Sequence, residues 1–117
     1  MKSNQAVAAL GALAQESRLA VFRLLVRRGP AGYTPTQLAD KLGVAAPTLS
    51  FHLRELQLAG LVDVRRAGRH LHYTANFARI NGLVGYLTQH CCALADAACD
   101  PVTCAPVETP VPRRKIA

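Results

Sequence analysis

Between Thr34 and Thr74 the apolar residues change their spacing from about every fourth position to every second, and strong helix signals bracket the change. Thr34-Pro35-Thr36-Gln37 has the form of a capping box with proline at the first helical position, which predicts a short helix through Leu42 that ends at Gly43. Pro47 opens the next helix, with Leu49, Leu53 and Leu56 on one face and Gly60 as its stop. Ala46 offers that helix a poor cap, because it has no side-chain oxygen to take up the free amides. From Leu61 onward, Val62, Val64, Leu71 and Tyr73 alternate with Asp63, Arg65, His70 and His72 around Ala67-Gly68-Arg69. That is the pattern of a β-hairpin. Two short helices joined by a glycine turn and followed by an arginine-tipped hairpin have the order of a winged helix-turn-helix.

The flanks extend this core. Asn4 is placed to cap a first helix of about ten residues in which Ala6, Leu10 and Leu13 recur at helical spacing. Ser17 opens a second, Arg18 to Arg28, with Leu19, Phe22, Leu25 and Val26 inward and Gly29-Pro30 as its stop. A last helix begins near Asn76, and Phe77, Ile80, Val84, Leu87, Cys91 and Leu94 form its packing stripe. After Cys99 the chain holds four of its seven prolines and no glycine. The expected fold is mainly α with a small β-hairpin, in the order helix, helix, helix, helix, strand, strand, helix. The domain occupies residues 1–98, with a largely irregular tail over 99–117. The apolar stripes of the first and last helices exceed what one small domain covers twice, which predicts a homodimer through them.

Charge narrows the function. The net charge of +7 resides in residues 1–90, which hold 11 basic and 4 acidic side chains, while residues 91–117 hold three of each. A basic chain of 117 residues suits a polyanionic partner. The longest apolar run, Ala6 to Ala14, is nine residues and falls short of the ~20 needed to cross a bilayer, so no membrane partner is expected. Lys2 followed by an Ala/Leu-rich stretch resembles a short secretion signal, but Asn4 and Gln5 break the required order of charged then apolar residues. All four cysteines fall between positions 91 and 104 and none staples the body, which points to a reducing cytoplasm. Catalysis finds little support. His90 beside Cys91 lies about 100° away around a helix, and no glycine-rich phosphate loop, HExxH motif or paired carboxylate occurs. A winged helix that binds protein instead of DNA is the remaining class, and steep salt dependence distinguishes the DNA reader.

With Leu49, Leu53 and Leu56 inward, Thr48, Ser50, Phe51, His52, Arg54 and Gln57 remain to read the major groove, joined by Gln37 from the preceding helix. Hydroxyls serve either base edge, Arg54 guanine or phosphate, and Phe51 a thymine methyl. His52 is read as a base contact in preference to a packed corner. His70 and His72 are assigned to the wing surface. Arg65, Arg66, Arg69 and His70 cluster at the hairpin tip, a costly arrangement unless something anionic neutralises it.

From Ala9 to Cys92 the chain resembles the ArsR/SmtB family of bacterial metal-responsive repressors. The residues that carry the likeness are Ala12-Leu13-Ala14-Gln15-Glu16-Ser17-Arg18-Leu19, then Pro47-Thr48-Leu49-Ser50-Phe51-His52-Leu53-Arg54-Glu55-Leu56. Ala59-Gly60-Leu61-Val62 and Gly68-Arg69 with Tyr73 complete it. The resemblance implies a homodimer on operator DNA that blocks transcription and leaves when an effector ion binds. A two-fold dimer reads an inverted repeat with half-sites ~34 to 36 Å apart.

The family's effector sites vary, and two of them are absent. Thr36-Gln37-Leu38-Ala39-Asp40 has no sulfur, and Asn76, Arg79 and Asn81 stand where other members place His/Asp pairs for zinc. Cys91, Cys92, Cys99 and Cys104 remain, soft donors that select soft ions. Their spacing fits a structural zinc site poorly. Adjacent thiols suit the three-sulfur trigonal site of As(III) or Sb(III), and some arsenic-responsive relatives carry a similar pair with a third cysteine shortly after. Cys91, Cys92 and Cys99 are therefore the expected As(III) ligands, with Cys104 as a substitute; antimonite and methylarsenite are alternative effectors. On an unbroken helix Cys92 and Cys99 would be about 10 Å apart, so one ion requires residues 93–98 to fold back. Two other readings stand beside this one. Cys91 on the apolar stripe is plain core, or a redox switch joins Cys91 or Cys92 to Cys99 or Cys104. A bond between Cys91 and Cys92 is disfavoured, since adjacent Cα atoms ~3.8 Å apart lie below the usual disulfide span.

Overall fold

The computed structural model describes residues 1–94. Its elements are α1 (Ser3–Leu13), α2 (Glu16–Arg28), a 3-10 turn (Gly29–Ala31), α3 (Pro35–Leu42), α4 (Ala46–Leu58), β1 (Val62–Ala67), β2 (His70–Ala75) and α5 (Phe77–Thr88). This is the expected order, a mainly helical winged helix-turn-helix. One compact unit spans Met1–Leu87 and a second begins at Thr88.

The first unit is built around α2. Val21, Phe22 and Leu25 are buried and share one apolar cluster with Leu38 of α3 and Leu49, Leu53 and Leu56 of α4. Leu25, Leu38, Leu49 and Leu56 are fully buried, each worth about 1.5–3 kcal/mol of transfer free energy. α1 enters through Ala6, Ala9 and Ala12, whose small side chains let its backbone lie close to α2 and α4. Leu10 is exposed and Leu13 only half-buried, so the expected Ala6, Leu10, Leu13 stripe is rotated by about one residue. On α2, Leu19 and Val26 are likewise exposed and Val21 takes the inward place.

The helix starts also shift. Asn4 lies inside α1, where the Gln5 side chain accepts the Lys2 N–H at 2.8 Å. Gln15, not Ser17, caps α2, its side-chain oxygen accepting the Arg18 N–H at 2.8 Å. Ala45 occupies the cap of α4, one residue before the expected Ala46, and makes no side-chain cap bond.

The two strands pair antiparallel in the register Val62↔Ala75, Val64↔Tyr73 and Arg66↔Leu71, with Gly68 at φ 65° in the turn. A single bridge between Tyr33 and Tyr73 adds a third strand's edge: each backbone N–H donates to the other's carbonyl, at 3.0 and 2.8 Å. This bridge has no periodic signature in the sequence. His72 is half-buried and not wing surface.

α5 differs most from expectation. Only Leu83 is buried on it, with Ile80 and Tyr86 packed at the margin. It ends at Thr88, so Cys91 and Leu94 do not continue its stripe, and Leu94 is 98% exposed. In the second unit, His90 and Cys92 have φ of 61° and 63°, a left-handed conformation that cannot extend a right-handed helix. Turn bonds replace the helical ladder, from the Cys91 N–H to the Thr88 carbonyl and from the Ala93 N–H to the His90 carbonyl. Cys91 is exposed, which removes its reading as core. The helix expected to run on through Cys91 and Cys92 is already ended before them. The tail over 99–117 lies outside the described residues.

Two glycines separate the need for backbone freedom from the need for space. Gly32 has φ 71° and ψ 176°, and an added Cβ would stand 2.7 Å from the Tyr73 carbonyl oxygen. Gly43 has φ 65° and open space around it. Gly43→Ala should cost about 1–2 kcal/mol for left-handed backbone alone. Gly32→Ala should cost more, because it adds overlap at the strand bridge to a conformation close to glycine-only. Urea denaturation followed by circular dichroism orders the two.

Candidate nucleic-acid interface

α3 and α4 are set at their turn by local bonds that the sequence specifies. Thr34 Oγ1 accepts the Gln37 N–H at 3.2 Å while Gln37 Oε1 accepts the Thr34 N–H at 2.9 Å, closing the capping box. Gly43 then takes the left-handed conformation and its N–H donates to the Ala39 carbonyl at 2.8 Å. Gln37 is exposed as expected of a DNA contact, but its amide oxygen is already engaged in the cap.

Burial of Leu49, Leu53 and Leu56 leaves Thr48, Ser50, Phe51, Arg54 and Gln57 exposed along α4. Phe51 is 55% exposed, an unusual place for an aromatic ring without a partner surface. The α4 N-terminus has no side-chain cap, so its first amides are left for solvent or an anion.

His52 departs from this row. It is 6% exposed and belongs to the packed side of α4, since it stands three residues after Leu49 and four before Leu56. Its assignment as a base reader is therefore corrected. Nδ1 faces Arg18 Nη1 at 3.4 Å, and Arg18 Nε donates to the Ala12 carbonyl at 2.8 Å. The Arg18 guanidinium also lies 5.8 Å from the centre of the Phe51 ring. Burial first, and then the Arg18 charge, hold the His52 pKa below its ordinary value of 6.5. Sequence reasoning did not single out Arg18. A signal was present, because Arg18, Val21, Phe22 and Leu25 follow the i, i+3, i+4, i+7 spacing of one buried face.

On the hairpin, Arg65, Arg66, Arg69 and His70 are all exposed. They do not share one face. Arg65 pairs with His72 and Ala67 with His70 on one side of the ladder, while Arg66 falls on the side that carries Val62, Leu71 and Ala75. The tip thus presents cations in two directions. Arg28 and Lys41 add another basic group, their charges 4.7 and 5.5 Å from the centre of the Tyr33 ring.

Of the four cysteines, Cys91 and Cys92 lie in the described residues, their sulfurs 3.7 Å apart; Cys99 and Cys104 lie outside them. Among the described residues no set of three His, Cys, Asp or Glu side chains converges on a metal position, and no helix is long and apolar enough to cross a membrane.

A family model described as a helix-turn-helix domain matches residues 13–65. Among solved structures, an ArsR-like transcriptional regulator from Rhodococcus sp. RHA1 is 30% identical over 72% of this chain and 76% of its own, with a TM-score of 0.65. HlyU from Vibrio cholerae N16961 is 28% identical over 79% of this chain and 99% of its own, with a TM-score of 0.61. The homodimeric winged helix-turn-helix DNA-binding domain of Mb0332 from Mycobacterium bovis, a possible ArsR-family regulator, is 28% identical. It covers 75% of this chain and 82% of its own, with a TM-score of 0.59. No curated protein sequence matches the chain.

The division of α4 into two faces predicts opposite costs from neighbouring residues. Phe51→Ala should change stability by no more than about 0.5 kcal/mol. Leu53→Ala should cost about 2–5 kcal/mol, read by urea denaturation. The lowered His52 pKa means that the unfolded chain takes up a proton near pH 6.5 while the folded chain resists it. His52's contribution to stability is therefore complete above that pH and lost as pH falls below it. His52→Asn should flatten that part of a melting-temperature profile.

Proposed function

Because the chain belongs to the ArsR family of winged-helix, DNA-binding transcriptional regulators, a family that is not enzymatic, we propose that it acts in the cytoplasm as a homodimeric repressor released from its operator by As(III). The observation that carries the DNA reading is the split α4 helix. Its buried leucines leave Thr48, Ser50, Phe51, Arg54 and Gln57 exposed on the opposite side, as a recognition helix requires in the major groove. Arg65, Arg66, Arg69 and His70 supply backbone contacts from the wing. Phosphate neutralisation by the arginines sets the salt dependence of binding.

The dimer is supported by apolar surface that one chain leaves uncovered. Val7 and Leu10 on α1 and Phe77, Val84 and Leu87 on α5 are exposed, the last two by 56% and 57%. Solvent exposure of so many large apolar groups on two helices is costly unless a second copy covers them. The Mycobacterium bovis domain named above is homodimeric. An isologous pair presents two α4 helices to an inverted repeat.

The effector reading rests on the adjacent cysteines Cys91 and Cys92 in their reduced form. Two sulfurs 3.7 Å apart, each about 2.3 Å from a shared soft ion, subtend an angle near 107° at it, within the range of a pyramidal or tetrahedral centre. Cys91 is free while Cys92 is disulfide-bonded, so one ion bridges the two sulfurs only once Cys92 is reduced, and As(III) then takes three thiolates and no water. Cys99 is the third ligand in this reading and Cys104 its substitute. Because the thiols follow directly on the helix that carries the dimer face, gathering a third sulfur alters the chain at the end of α5. Antimonite and methylarsenite share the required chemistry. A disulfide from Cys91 or Cys92 to Cys99 or Cys104 is the competing switch.

Gel-shift titration with duplex selected from a random library by the protein tests these readings. Saturating arsenite should weaken binding about five- to 150-fold, the range of ordinary allosteric coupling. Cys91→Ser, Cys92→Ser and Cys99→Ser should bind DNA normally and lose the response. Release by peroxide but not by arsenite would select the disulfide. Val84→Asp with Leu87→Asp should give a monomer by sedimentation and abolish binding to the paired half-sites. Arg65→Ala, Arg66→Ala and Arg69→Ala should each lower the slope of log K against log salt by up to about 1.

A further inference from the structure

We propose that Arg18 and His52 form a positioning pair that seats α4 on α1 and α2, so that DNA is read by the residues flanking His52 while His52 sets where they stand. The proposal rests on α4 being the reading helix.

One guanidinium joins three elements. Arg18 belongs to α2, its Nε donates to the Ala12 carbonyl in the last turn of α1, and its Nη1 meets His52 Nδ1 of α4. The Ala12 carbonyl is among the last four of its helix and lacks an intrahelical donor, so Arg18 satisfies an acceptor that would otherwise be left over. An arginine only donates. His52 Nδ1 must therefore accept, and the imidazole proton sits on Nε2. Pairing thus selects one tautomer and one ring orientation.

Phe51 lies immediately outside the pair. Its ring is 5.9 Å from that of His52, and the Arg18 charge approaches it as well. Movement of His52 carries the adjacent Phe51 and Ser50 with it, along with Thr48 one turn earlier on the same helix. The long 3.4 Å contact is the weakest link in this arrangement.

The pair is sensitive to protonation. The charge that acts on His52 is Arg18 from α2; Glu55 of its own helix lines a groove with Arg18 and residues of α1, and α1 presents the Ala12 backbone to Arg18. A proton on Nδ1 removes the acceptor and sets a second cation against Arg18. Acid therefore loosens the seat of α4 while leaving the wing arginines charged. Specific binding should fall before non-specific binding does.

Nitrogen-15 spectra of the wild-type imidazoles provide a first test that needs no variant. His52 Nδ1 should resonate as an unprotonated acceptor at pH 7.5, and a protonated Nδ1 would overturn the pairing. Affinity for the selected duplex and for a random duplex is then measured at pH 7.5 and 5.5 for the wild type and for Arg18→Ala, His52→Ala, the double variant and His52→Asn. Arg18→Ala and His52→Ala should each weaken selected-duplex binding about tenfold and leave random-duplex binding within about twofold, and the double variant should be no worse than the worse single one. His52→Asn keeps an acceptor near Nδ1, so it should retain wild-type affinity at pH 7.5 and lose the acid sensitivity.

Equal losses on both duplexes would show a merely structural role, and additive losses would show two independent ones. A changed preference at one base pair in His52→Asn would make His52 a reader after all. Any of these overturns the proposal. Should the wild type itself fail to distinguish the selected duplex from the random one, the reading of α4 falls first.

Discussion

The burial of Leu49, Leu53 and Leu56 against the core centred on α2 is the constraint on which the rest of this molecule depends. It fixes the rotation of α4 about its own axis, and that rotation decides which side chains face a partner. Each leucine contributes burial energy that a solvated helix could not obtain from propensity alone. The small buried alanines of α1 serve the same end, allowing a third helix to close over the junction without displacing α4.

The unit's surface is divided by sign and polarity. α4 and the hairpin carry polar and cationic groups, while α1 and α5 carry exposed valine, leucine and phenylalanine. These surfaces suit partners of different chemistry, a polyanion for the first and an apolar face for the second. Cys91 and Cys92 follow shortly after α5, where the backbone has left the helical conformation.

Much of this was legible in the sequence, and the failures have physical causes. The capping box at Thr34, the stop at Gly43, the leucine face of α4 and the alternating hairpin are local signals, each satisfied within a few residues of itself. Errors arose where a residue's place depends on something distant. The sequence favours a base contact over a packed corner for His52, although its spacing from Leu49 and Leu56 puts it on the buried face, and the partner from α2 makes that burial tolerable. Leu10, Leu19 and Val26 were expected inside because they are apolar, yet one chain has no room for them. Cys91 and Leu94 extend a perfect stripe on paper, but the helix ends before either.

What the sequence determined by itself was therefore the set of elements, their order and the face of α4 that packs inward, because backbone capping, turn chemistry and hydrophobic period are short-range properties. Only the tertiary structure decided that Arg18 reaches across three helices to His52, that Tyr33 pairs with Tyr73, and that the wing arginines point to both faces of the hairpin. Those facts depend on how rigid elements meet at angles and distances set by packing, and no window along the chain contains them.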